Sequence, residues 1–435
     1  MSAVTETPPV AVQIGAGKIG RGLMGELFFA SGYRTIFVDI NRPLVEALRA
    51  RTSYEVHHVT NSGDRPVRVA GFSALHADDA EAVAEAVAGA TLVCTAVGAR
   101  NLPDVAPSIA RGLARRIRRG VAAPLAASRN LVRGGSPDPP RTSRPRGGTA
   151  RRVRRPAALG LGIAAPLNVI ACENLLDSGR VLADRVWAAF AALDGPHLAR
   201  ADFEACFGFV GAVVSRTVPV PPAEIRRRDP LWLACEPVAH LLIDAAACRG
   251  PVPPVTDVEP VANFAAYLRQ KLVSHNMGHA VAAYLGYPAG HEFIWQAMDD
   301  AAIEAVVRGA MRETGRALCS RYGFTPARQR AFEDDLLERF RNRAIGDQVR
   351  RVAADPLRKL GPEDRLIGAA RLCLEEKVEP ANLLVGIRAA LEYNNPGDPG
   401  AVQLQEMLAS RGREAVLRDV CGLSPDEPLF ARLRE

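Results

Sequence analysis

The sequence predicts an α/β N-terminal domain followed by a largely α-helical C-terminal domain. Short apolar runs separated by glycine-rich turns dominate the first part, whereas apolar residues recur at spacings of three and four after residue 292. The 435 residues, 48% of them hydrophobic, suffice for two domains that each have a core. We place the boundary near residue 200, giving domains 1–200 and 201–435, and expect the helical mass to begin near residue 262.

The first predicted strand, Val10 to Ile14, runs into a GxGxxG motif formed by Gly15, Gly17 and Gly20. In a strand–turn–helix context the first glycine makes the tight turn, the second lets the backbone approach a pyrophosphate, and the third lets the helix pack on the strand. The pyrophosphate would bind at the helix N-terminus, where N–H groups and the helix dipole favour an anion. The motif therefore predicts a Rossmann-type dinucleotide-binding domain.

The second predicted strand, Thr35 to Val38, is followed by Asp39, nineteen residues after Gly20. A carboxylate at this position can accept hydrogen bonds from both ribose hydroxyls of an adenosine, and it would repel a 2′-phosphate. NAD is therefore the expected cofactor, and Arg42 leaves NADP as the minor alternative.

Two further apolar runs, Thr91 to Thr95 and Asn168 to Cys172, predict strands whose carboxyl ends share one edge of the sheet. Glu173 and Asn174 directly follow the second run. Polar side chains at this edge are typical of α/β ligand sites, but an isolated asparagine there is also typical of a helix cap.

An arginine-rich insert is predicted at about residues 119–157. Residues 111–155 hold fourteen arginines, no lysine and one acid, so the rest of the chain is net negative although the whole chain is +7. A segment so rich in proline, glycine and arginine buries too little apolar surface to order itself. We interpret it as a basic surface insertion. The alternatives are a polyanion-binding arm and an unselected sequence of the kind that a reading-frame slip in GC-rich DNA produces, and we predict no nucleic-acid partner for the chain.

The stretch KLVSHNMGHA, residues 271–280, predicts a helix with one polar side. At 100° per residue on an α-helix, Lys271, His275, Asn276 and His279 fall within about 140° of one another. Burying these groups unpaired is costly, so a lined pocket explains the pattern, and a solvated helix face is the alternative. A lysine whose pKa is lowered by burial and positive neighbours can act as the base in alcohol oxidation, and asparagine N–H groups can hold the oxyanion.

Several classes of protein are excluded by what the sequence lacks. It has no apolar run long enough for a membrane span, no secretory signal, and no HExxH or closely spaced Cys/His set for catalytic zinc. Its eight cysteines form no CxxC pair, which favours a reducing compartment. We expect a cytoplasmic monomer or homodimer with a small-molecule substrate, no membrane association and no metal.

The stretches GAGKIGRG, DINRP, PLNVIACEN, KLVSHNMGHAVAAYLGY and RVAADPLRKLGPEDRLIGAA together resemble the polyol-specific long-chain dehydrogenases of the mannitol dehydrogenase family. The resemblance implies a zinc-independent enzyme in which Lys271 is the general base, Asn174 and Asn276 form the oxyanion hole, and His279 orients the substrate. It also implies that the fingerprint glycines hold the pyrophosphate of NAD and that Asp39 holds the adenosine ribose.

The phosphate-using branch of the family, which the stretch DPLRKLGPEDRLIGAA favours, interconverts mannitol 1-phosphate and fructose 6-phosphate. Arg351, Arg358 and Lys359 are candidate phosphate ligands because cationic side chains bind phosphate strongly, and an ordinary basic helix end is the alternative. Within the same class the alternatives are a mannitol 2-dehydrogenase or a fructuronate or tagaturonate reductase. An inactive NAD-binding sensor is the alternative from another class, suggested by Met277 and Ser215 where relatives carry threonine and aspartate.

Overall fold

The computed structural model describes residues 7–120, 166–195, 198–252 and 254–434. The chain divides into two compact units, Met1–Phe264 and Ala265–Glu435. The first unit extends well beyond the boundary expected near residue 200, because strands that follow this position complete its sheet. The arginine-rich insert predicted at about 119–157 lies outside the described residues, apart from its first two positions.

The strands of the N-terminal unit form an eight-stranded and a three-stranded sheet. In chain order the strands are β1 (Val10–Ile14), β2 (Arg34–Asp39), β3 (Ser53–Thr60), β4 (Gly63–Ala70), β5 (Phe72–His76), β6 (Leu92–Thr95), β7 (Leu167–Ala171), β8 (Phe207–Val214), β9 (Leu233–Cys235), β10 (Leu241–Asp244) and β11 (Val258–Val261). Four of them, β1, β2, β6 and β7, correspond to the strands predicted from the sequence.

The larger sheet has the strand order β5-β2-β1-β6-β7-β8-β10-β11. Its first six strands are parallel, in the order typical of dinucleotide-binding folds, while β10 runs antiparallel to β8. The strand order reverses between β1 and β6, so the carboxyl ends of these strands flank the crevice where such sheets bind ligands. In the smaller sheet β3 pairs with β4 and with β9.

Helices cover the larger sheet, and β6 and β7 are buried at every residue, as expected for parallel strands with helices on both faces. The turn after β1 leads into a π-helical turn, Gly20–Gly25, which continues as an α-helix. The α-helices of this unit are α1 (Glu26–Ala30), α2 (Arg42–Arg49), α3 (Ala80–Gly89), α4 (Leu102–Arg119), α5 (Ser178–Ala191), α6 (Arg200–Cys206) and α7 (Ala223–Arg228).

The C-terminal unit is built from helices, which confirms the predicted fold class. The helical region begins with α8 (Phe264–Gln270), close to the expected start near residue 262. A π-helical turn, Lys271–Asn276, joins it to the next helix. The further helices are α9 (Met277–Gly286), α10 (Ile294–Asp299), α11 (Ala301–Tyr322), α12 (Pro326–Phe340), α13 (Val349–Ala353), α14 (Pro356–Lys359), α15 (Ile367–Glu375), α16 (Ala381–Leu391), α17 (Pro399–Arg411), α18 (Arg413–Asp419) and α19 (Pro428–Arg434).

Helix α9 is the centre of this unit and packs against α10, α11, α13 and α16. Apolar residues surround α9 on nearly every side, which is the pattern of a helix buried in a core. The site residues at its N-terminal end are therefore held by a rigid element. None of the described helices is long and apolar enough to cross a membrane.

Candidate active site

Two fingerprint glycines are required by the protein itself. Gly15 has a φ of +90°, and a Cβ at this position would lie 2.4 Å from the carbonyl oxygen of Ala96. A Cβ at Gly20 would lie 1.9 Å from the carbonyl oxygen of Gly15. Only glycine therefore permits this turn and this close approach of the helix.

The middle fingerprint glycine has a different environment. A Cβ at Gly17 would meet no protein atom within 4 Å, so its open side fits the prediction that a ligand approaches the backbone here. The N–H of Arg21 donates to the carbonyl of Gly17 at 3.0 Å, so the helix starts directly behind the fingerprint. Its first-turn N–H groups lack intrahelical acceptors and favour an anion such as a pyrophosphate.

Asp39 lies at the end of β2, next to the fingerprint turn. Its Oδ2 atom accepts a hydrogen bond from the N–H of Ala16 at 2.7 Å, which fixes the carboxylate against this turn. Arg42, because of which NADP was kept as the minor alternative cofactor, forms a surface ion pair with Asp78 at 2.9 Å. The residues present therefore fit an NAD with an unphosphorylated adenosine ribose.

Glu173 connects two loops at the carboxyl edge of the sheet. Its two carboxylate oxygens accept hydrogen bonds from the N–H groups of Val97 at 3.0 Å and Gly98 at 2.8 Å, in the loop after β6. Asn174 follows it and is exposed, and the N-cap position of α5 is Asp177. Asn174 therefore does not cap this helix, and its role in an oxyanion hole stays a prediction.

The stretch that carries the polar cluster begins as a π-helical turn rather than the predicted α-helix. Backbone bonding in a π turn runs from i to i+5, so Lys271 and Asn276 come nearer to one side than the 140° separation of an α-helix. Sequence periodicity missed this turn because one extra residue barely changes the spacing of apolar positions. Such turns are frequent at functional sites.

Lys271 has the electrostatic surroundings of a base. Burial, together with the positive charges of Arg365 and Arg339, lowers the pKa of its ammonium group to about 8. A lysine with this pKa is partly neutral near physiological pH and can accept a proton from an alcohol. Neither arginine was identified from the sequence, since both lie far from Lys271 along the chain.

His279 is held in one orientation by two contacts. Its Nε2 atom lies 2.9 Å from Oδ2 of Asp347, and its ring stacks on Phe340 with centroids 4.9 Å apart. Asp347 also accepts a hydrogen bond from Nε of Arg351 at 2.8 Å. Burial alone would raise the pKa of Asp347, but His279 and Arg351 outweigh it and lower the pKa to about 2. Asp347 therefore stays ionised and orients the imidazole.

The adjacent His275 remains neutral. Burial, assisted by the charges of Arg339 and other groups in the cluster, lowers the pKa of its imidazole well below the usual range. Its Nδ1 atom is buried and has no hydrogen-bond partner in the part of the chain that the structure describes. His275 therefore adds no further positive charge beside Lys271.

The two other candidate phosphate ligands, Lys359 and Arg358, have different surroundings. Lys359 is only 5% exposed, and burial, together with Arg365 and Arg358, lowers the pKa of its ammonium group to about 7. The side chain of Arg358 is half exposed and pairs with Asp355 at 2.7 Å. Arg365 lowers the pKa of both Lys271 and Lys359. Arg365, Lys271 and Lys359 therefore contribute to one region of positive potential, which favours binding of an anion.

A buried hydrogen-bond network ties the π turn to α12. Nε2 of Gln270 donates to Oε1 of Gln329 at 2.7 Å, and Nε2 of Gln329 donates to Oε1 of Glu333 at 2.8 Å and to Oγ of Ser274 at 3.3 Å. Burial raises the pKa of Glu333 to about 7. These side chains support the turn that carries Lys271, and sequence reasoning did not identify them.

The N-terminal unit has a parallel sheet with a dinucleotide fingerprint, and the helical unit has a lysine of lowered pKa and an oriented histidine. These features define a Rossmann-type oxidoreductase. Residues 9–135 and 157–256 match the Mannitol dehydrogenase Rossmann domain, and residues 263–421 match the Mannitol dehydrogenase C-terminal domain. The chain belongs to the mannitol dehydrogenase family, and the predicted class of NAD-dependent polyol dehydrogenase is confirmed. The matched ranges omit residues 136–156, which fall within the predicted insert.

Two curated relatives are similar in sequence to this protein over nearly the whole chain. Mannitol-1-phosphate 5-dehydrogenase of Bacillus licheniformis is 34% identical over 422 residues, covering 97% of this chain and 97% of the relative. The protein of the same name from Brevibacillus brevis is 34% identical over 426 residues, covering 98% and 97%.

Two solved structures have a similar fold. Pseudomonas fluorescens mannitol 2-dehydrogenase, in a ternary complex with NAD and D-mannitol, has a TM-score of 0.69 at 18% identity and covers 99% of this chain and 91% of its own. A substrate-free D-sorbitol dehydrogenase has a TM-score of 0.73 at 16% identity and covers 98% and 92%. At these identities the likeness concerns the fold alone.

Proposed function

We propose that the chain interconverts mannitol 1-phosphate and fructose 6-phosphate with NAD as cofactor. The observation that carries this proposal is the pair of cations, Lys359 and Arg365, in the electrostatic field of Lys271. A free polyol is uncharged and would not be bound more tightly by a concentration of positive charge, whereas a phosphate ester is an anion and would be. The names of both relatives at 34% identity support the same substrate. We also propose that the protein is located in the cytoplasm and is a monomer or a homodimer.

In the proposed mechanism, residues of the helical unit accept and return the hydroxyl proton of the substrate alcohol. NAD, when bound, supplies the acceptor for the hydride that leaves the alcohol carbon. Neutral Lys271 takes the hydroxyl proton of the secondary alcohol, and the side-chain N–H of Asn276 donates to the oxygen as it gains negative charge. We also propose Asn174 as a second donor and His279 as the group that orients the substrate hydroxyls. In the reverse direction protonated Lys271 returns the proton to the ketone oxygen.

Lys359 and Arg365 are the proposed phosphate ligands. Arg351 and Arg358 were candidates from the sequence, but their side chains are half exposed and paired with carboxylates, Arg351 with Asp347 and Arg358 with Asp355. Arg365 also pairs with a carboxylate, that of Asp364 at 2.8 Å, but its side chain is only 12% exposed and its charge acts on both Lys271 and Lys359. A phosphate would have to compete with these carboxylates. The dianion would favour the protonated form of Lys359, so binding is expected to be accompanied by proton uptake.

The test is NADH oxidation by the purified protein with fructose 6-phosphate, fructose and fructuronate in parallel. We expect fructose 6-phosphate to have the highest kcat/KM, and Lys359→Gln to raise its KM at least about tenfold without changing the KM for fructose. Arg358→Gln, which removes an exposed and paired cation, is the matched control with a smaller effect.

Other outcomes would favour the alternative functions. A preference for fructose would indicate a mannitol 2-dehydrogenase, and a preference for fructuronate would indicate a sugar-acid reductase. Binding of NADH without turnover of any of the three substrates would indicate an inactive sensor. Each of these outcomes would contradict the proposed substrate.

A further inference from the structure

A second group of buried polar side chains lies in the N-terminal unit and comprises Glu26, His58 and Cys235. One carboxylate oxygen, one imidazole nitrogen and the thiol sulfur all lie within 4.8 Å of one another. All three residues are buried. We propose that this group, the Glu26–His58–Cys235 cluster, binds a divalent transition-metal ion with the ligand preferences of zinc.

Regular secondary structure brings the cluster together. His58 and Cys235 are direct partners in the parallel pairing of β3 with β9, and paired residues on neighbouring strands project from the same face of a sheet. Glu26 begins α1, directly after the π turn Gly20–Gly25. Ligands held by two strands and a helix keep their positions better than ligands on loops, as a selective ion site requires.

The three side chains form a ligand set suited to zinc. Carboxylate oxygen, imidazole nitrogen and thiolate sulfur are the atoms that bind zinc in proteins, and three protein ligands leave a fourth tetrahedral position for water or a small anion. Harder ions such as magnesium and calcium prefer oxygen-only sites, so the sulfur and nitrogen donors of Cys235 and His58 disfavour them.

A cavity of about 610 Å³ opens onto the cluster, because Glu26 and His58 are among its lining residues. Its walls also carry the carboxylates of Asp64 and Asp257, with Arg65 as the opposing charge. The cavity therefore provides both a route for an ion and space for the fourth ligand. The excess of acidic side chains favours entry of a cation.

Arg216 has two opposing effects on ion binding at this cluster: it orients the Glu26 carboxylate, and its positive charge repels a cation. Its Nη1 atom donates to Oε2 of Glu26 at 2.6 Å and to the carbonyl of Gly22 at 2.7 Å. This contact orients the carboxylate in the way that ligands of bound metals are usually supported. Nη2 of Arg216 also donates to Oε1 at 3.3 Å, and Oε2 additionally faces Nε2 of His58, so an ion must displace His58 from Oε2 or bind the second lone pair of Oε1. The buried guanidinium also repels a cation, and burial raises the pKa of the Cys235 thiol to about 12. The ion must therefore displace the thiol proton to solvent as it binds, and its charge is then balanced by the Cys235 thiolate and the Glu26 carboxylate.

The competing arrangement is a hydrogen-bond network without an ion. Nε2 of His58 lies 2.9 Å from Oε2 of Glu26, so Arg216, Glu26 and His58 also satisfy one another. A bound ion would replace the His58–Glu26 hydrogen bond and engage Cys235 as well. The two arrangements differ in whether the sulfur is a ligand, and this difference can be measured.

A metal in the cluster would join the smaller sheet to the helix that follows the fingerprint. An ion that binds the folded chain more tightly than the unfolded chain raises the midpoint of thermal unfolding. This role is independent of the hydride transfer, which needs no metal in the proposed mechanism.

The experiment loads chelator-treated, reduced full-length protein with one equivalent of Co²⁺ and, separately, of Zn²⁺. Cobalt reports sulfur ligation through its thiolate charge-transfer absorption, and zinc retained after gel filtration is counted by mass spectrometry. Cys235→Ser and His58→Gln remove ligands. Cys248→Ser and His57→Gln are matched controls, since Cys248 lies in the same unit and His57 precedes His58 on β3.

We expect about one zinc per wild-type chain, a thiolate absorption band with cobalt, and a raised unfolding midpoint with zinc. The two ligand variants should lose the band and the zinc, while the two controls retain both. If the wild-type protein binds cobalt without the sulfur band, or retains no zinc, the proposal is wrong and the hydrogen-bond network stands. Zinc retained equally by Cys235→Ser and His58→Gln would also overturn it. The wild-type cobalt spectrum decides the matter even if a variant fails to fold.

Discussion

Asp347 lies against His279, with Oδ2 of the carboxylate 2.9 Å from Nε2 of the imidazole. The same carboxylate holds Arg351, and the His279 ring stacks on Phe340. Two direct contacts, with Asp347 and with Phe340, thus fix one imidazole that is proposed to orient the substrate. Arg351 contacts the same carboxylate, so we propose that it supports the histidine through Asp347 instead of making the phosphate contact suggested by the sequence.

The first prediction concerns this orientation. Asp347→Asn keeps the shape of the side chain but removes the charge that holds His279 and Arg351. We expect kcat/KM for the ketose phosphate to fall at least about tenfold, while the Kd of NADH stays unchanged. Asp419→Asn, at an exposed ion pair with Arg411, is the control and should behave as wild type. Unchanged kinetics of Asp347→Asn would show that the contact has no role in positioning.

The second prediction concerns the pH dependence of alcohol oxidation. Lys271 must be neutral to accept a proton, and its pKa is lowered to about 8. Oxidation should therefore accelerate as the pH rises through about 8 and then level off, whereas ketone reduction, which needs the protonated lysine, should slow over the same range. Profiles of kcat/KM against pH in both directions check this pattern.

A charge-removing variant makes this prediction more specific. Arg365→Gln takes away a positive charge that lowers the pKa of Lys271, so the oxidation profile should move to higher pH. Arg321→Gln removes an arginine that pairs with Glu375 and Glu376 elsewhere in the unit and should leave the profile in place. Identical profiles for the wild type and Arg365→Gln would exclude the proposed effect on Lys271.

The third prediction links substrate binding to stability through Lys359. Its pKa is about 7 in the folded chain and 10.5 for an unperturbed lysine, so the unfolded chain binds more protons between these values. The free energy of unfolding contributed by this group is lowest below about pH 7 and rises as the pH increases toward about 10.5. Lys359→Met removes this cost and should raise the unfolding midpoint near pH 7 more than near pH 10, while weakening phosphate binding.

Thermal unfolding at the two pH values measures this effect. Lys377→Met is the control because Lys377 is exposed, and its substitution should change neither midpoint. A Lys359→Met variant whose midpoint changes equally at both pH values would show that Lys359 does not have a lowered pKa.

The fourth prediction separates the fingerprint glycines. A Cβ at Gly17 meets no protein atom, so Gly17→Ala should unfold at the wild-type temperature but bind NADH at least about tenfold more weakly. A Cβ at Gly20 would lie 1.9 Å from the carbonyl oxygen of Gly15, so Gly20→Ala should lower the unfolding midpoint. Thermal unfolding and NADH titration of both variants provide the comparison. Wild-type NADH affinity in Gly17→Ala would contradict the proposed pyrophosphate position.

The sequence predicted the features that depend on local pattern. The strand β1, the fingerprint glycines and Asp39 follow one another within thirty residues, and their order alone indicates a dinucleotide fold. The position of Lys271 was also predictable, because polar residues in an apolar stretch stand out. Each of these signals needs only a short window of the chain.

The features that sequence reasoning missed depend on residues that are far apart along the chain. Arg365 and Asp347 carry ordinary helix-end and loop patterns, and only folding brings their charges to Lys271 and His279. The Glu26–His58–Cys235 cluster likewise has no recognisable ligand spacing in the sequence. The boundary expected near residue 200 differs from the structure because β10 and β11 also belong to the larger sheet. The chain reverses direction between β8 and β10, and the spacing of apolar residues in the sequence does not reveal this pairing.

The most direct test of the proposed function compares the wild type with Lys271→Met in the NADH-dependent reduction of fructose 6-phosphate, with the Kd of NADH measured in parallel. We predict turnover by the wild type and a loss of about 100-fold or more in kcat for the variant, with NADH affinity retained. Wild-type turnover by Lys271→Met would contradict the assignment of Lys271 as the base.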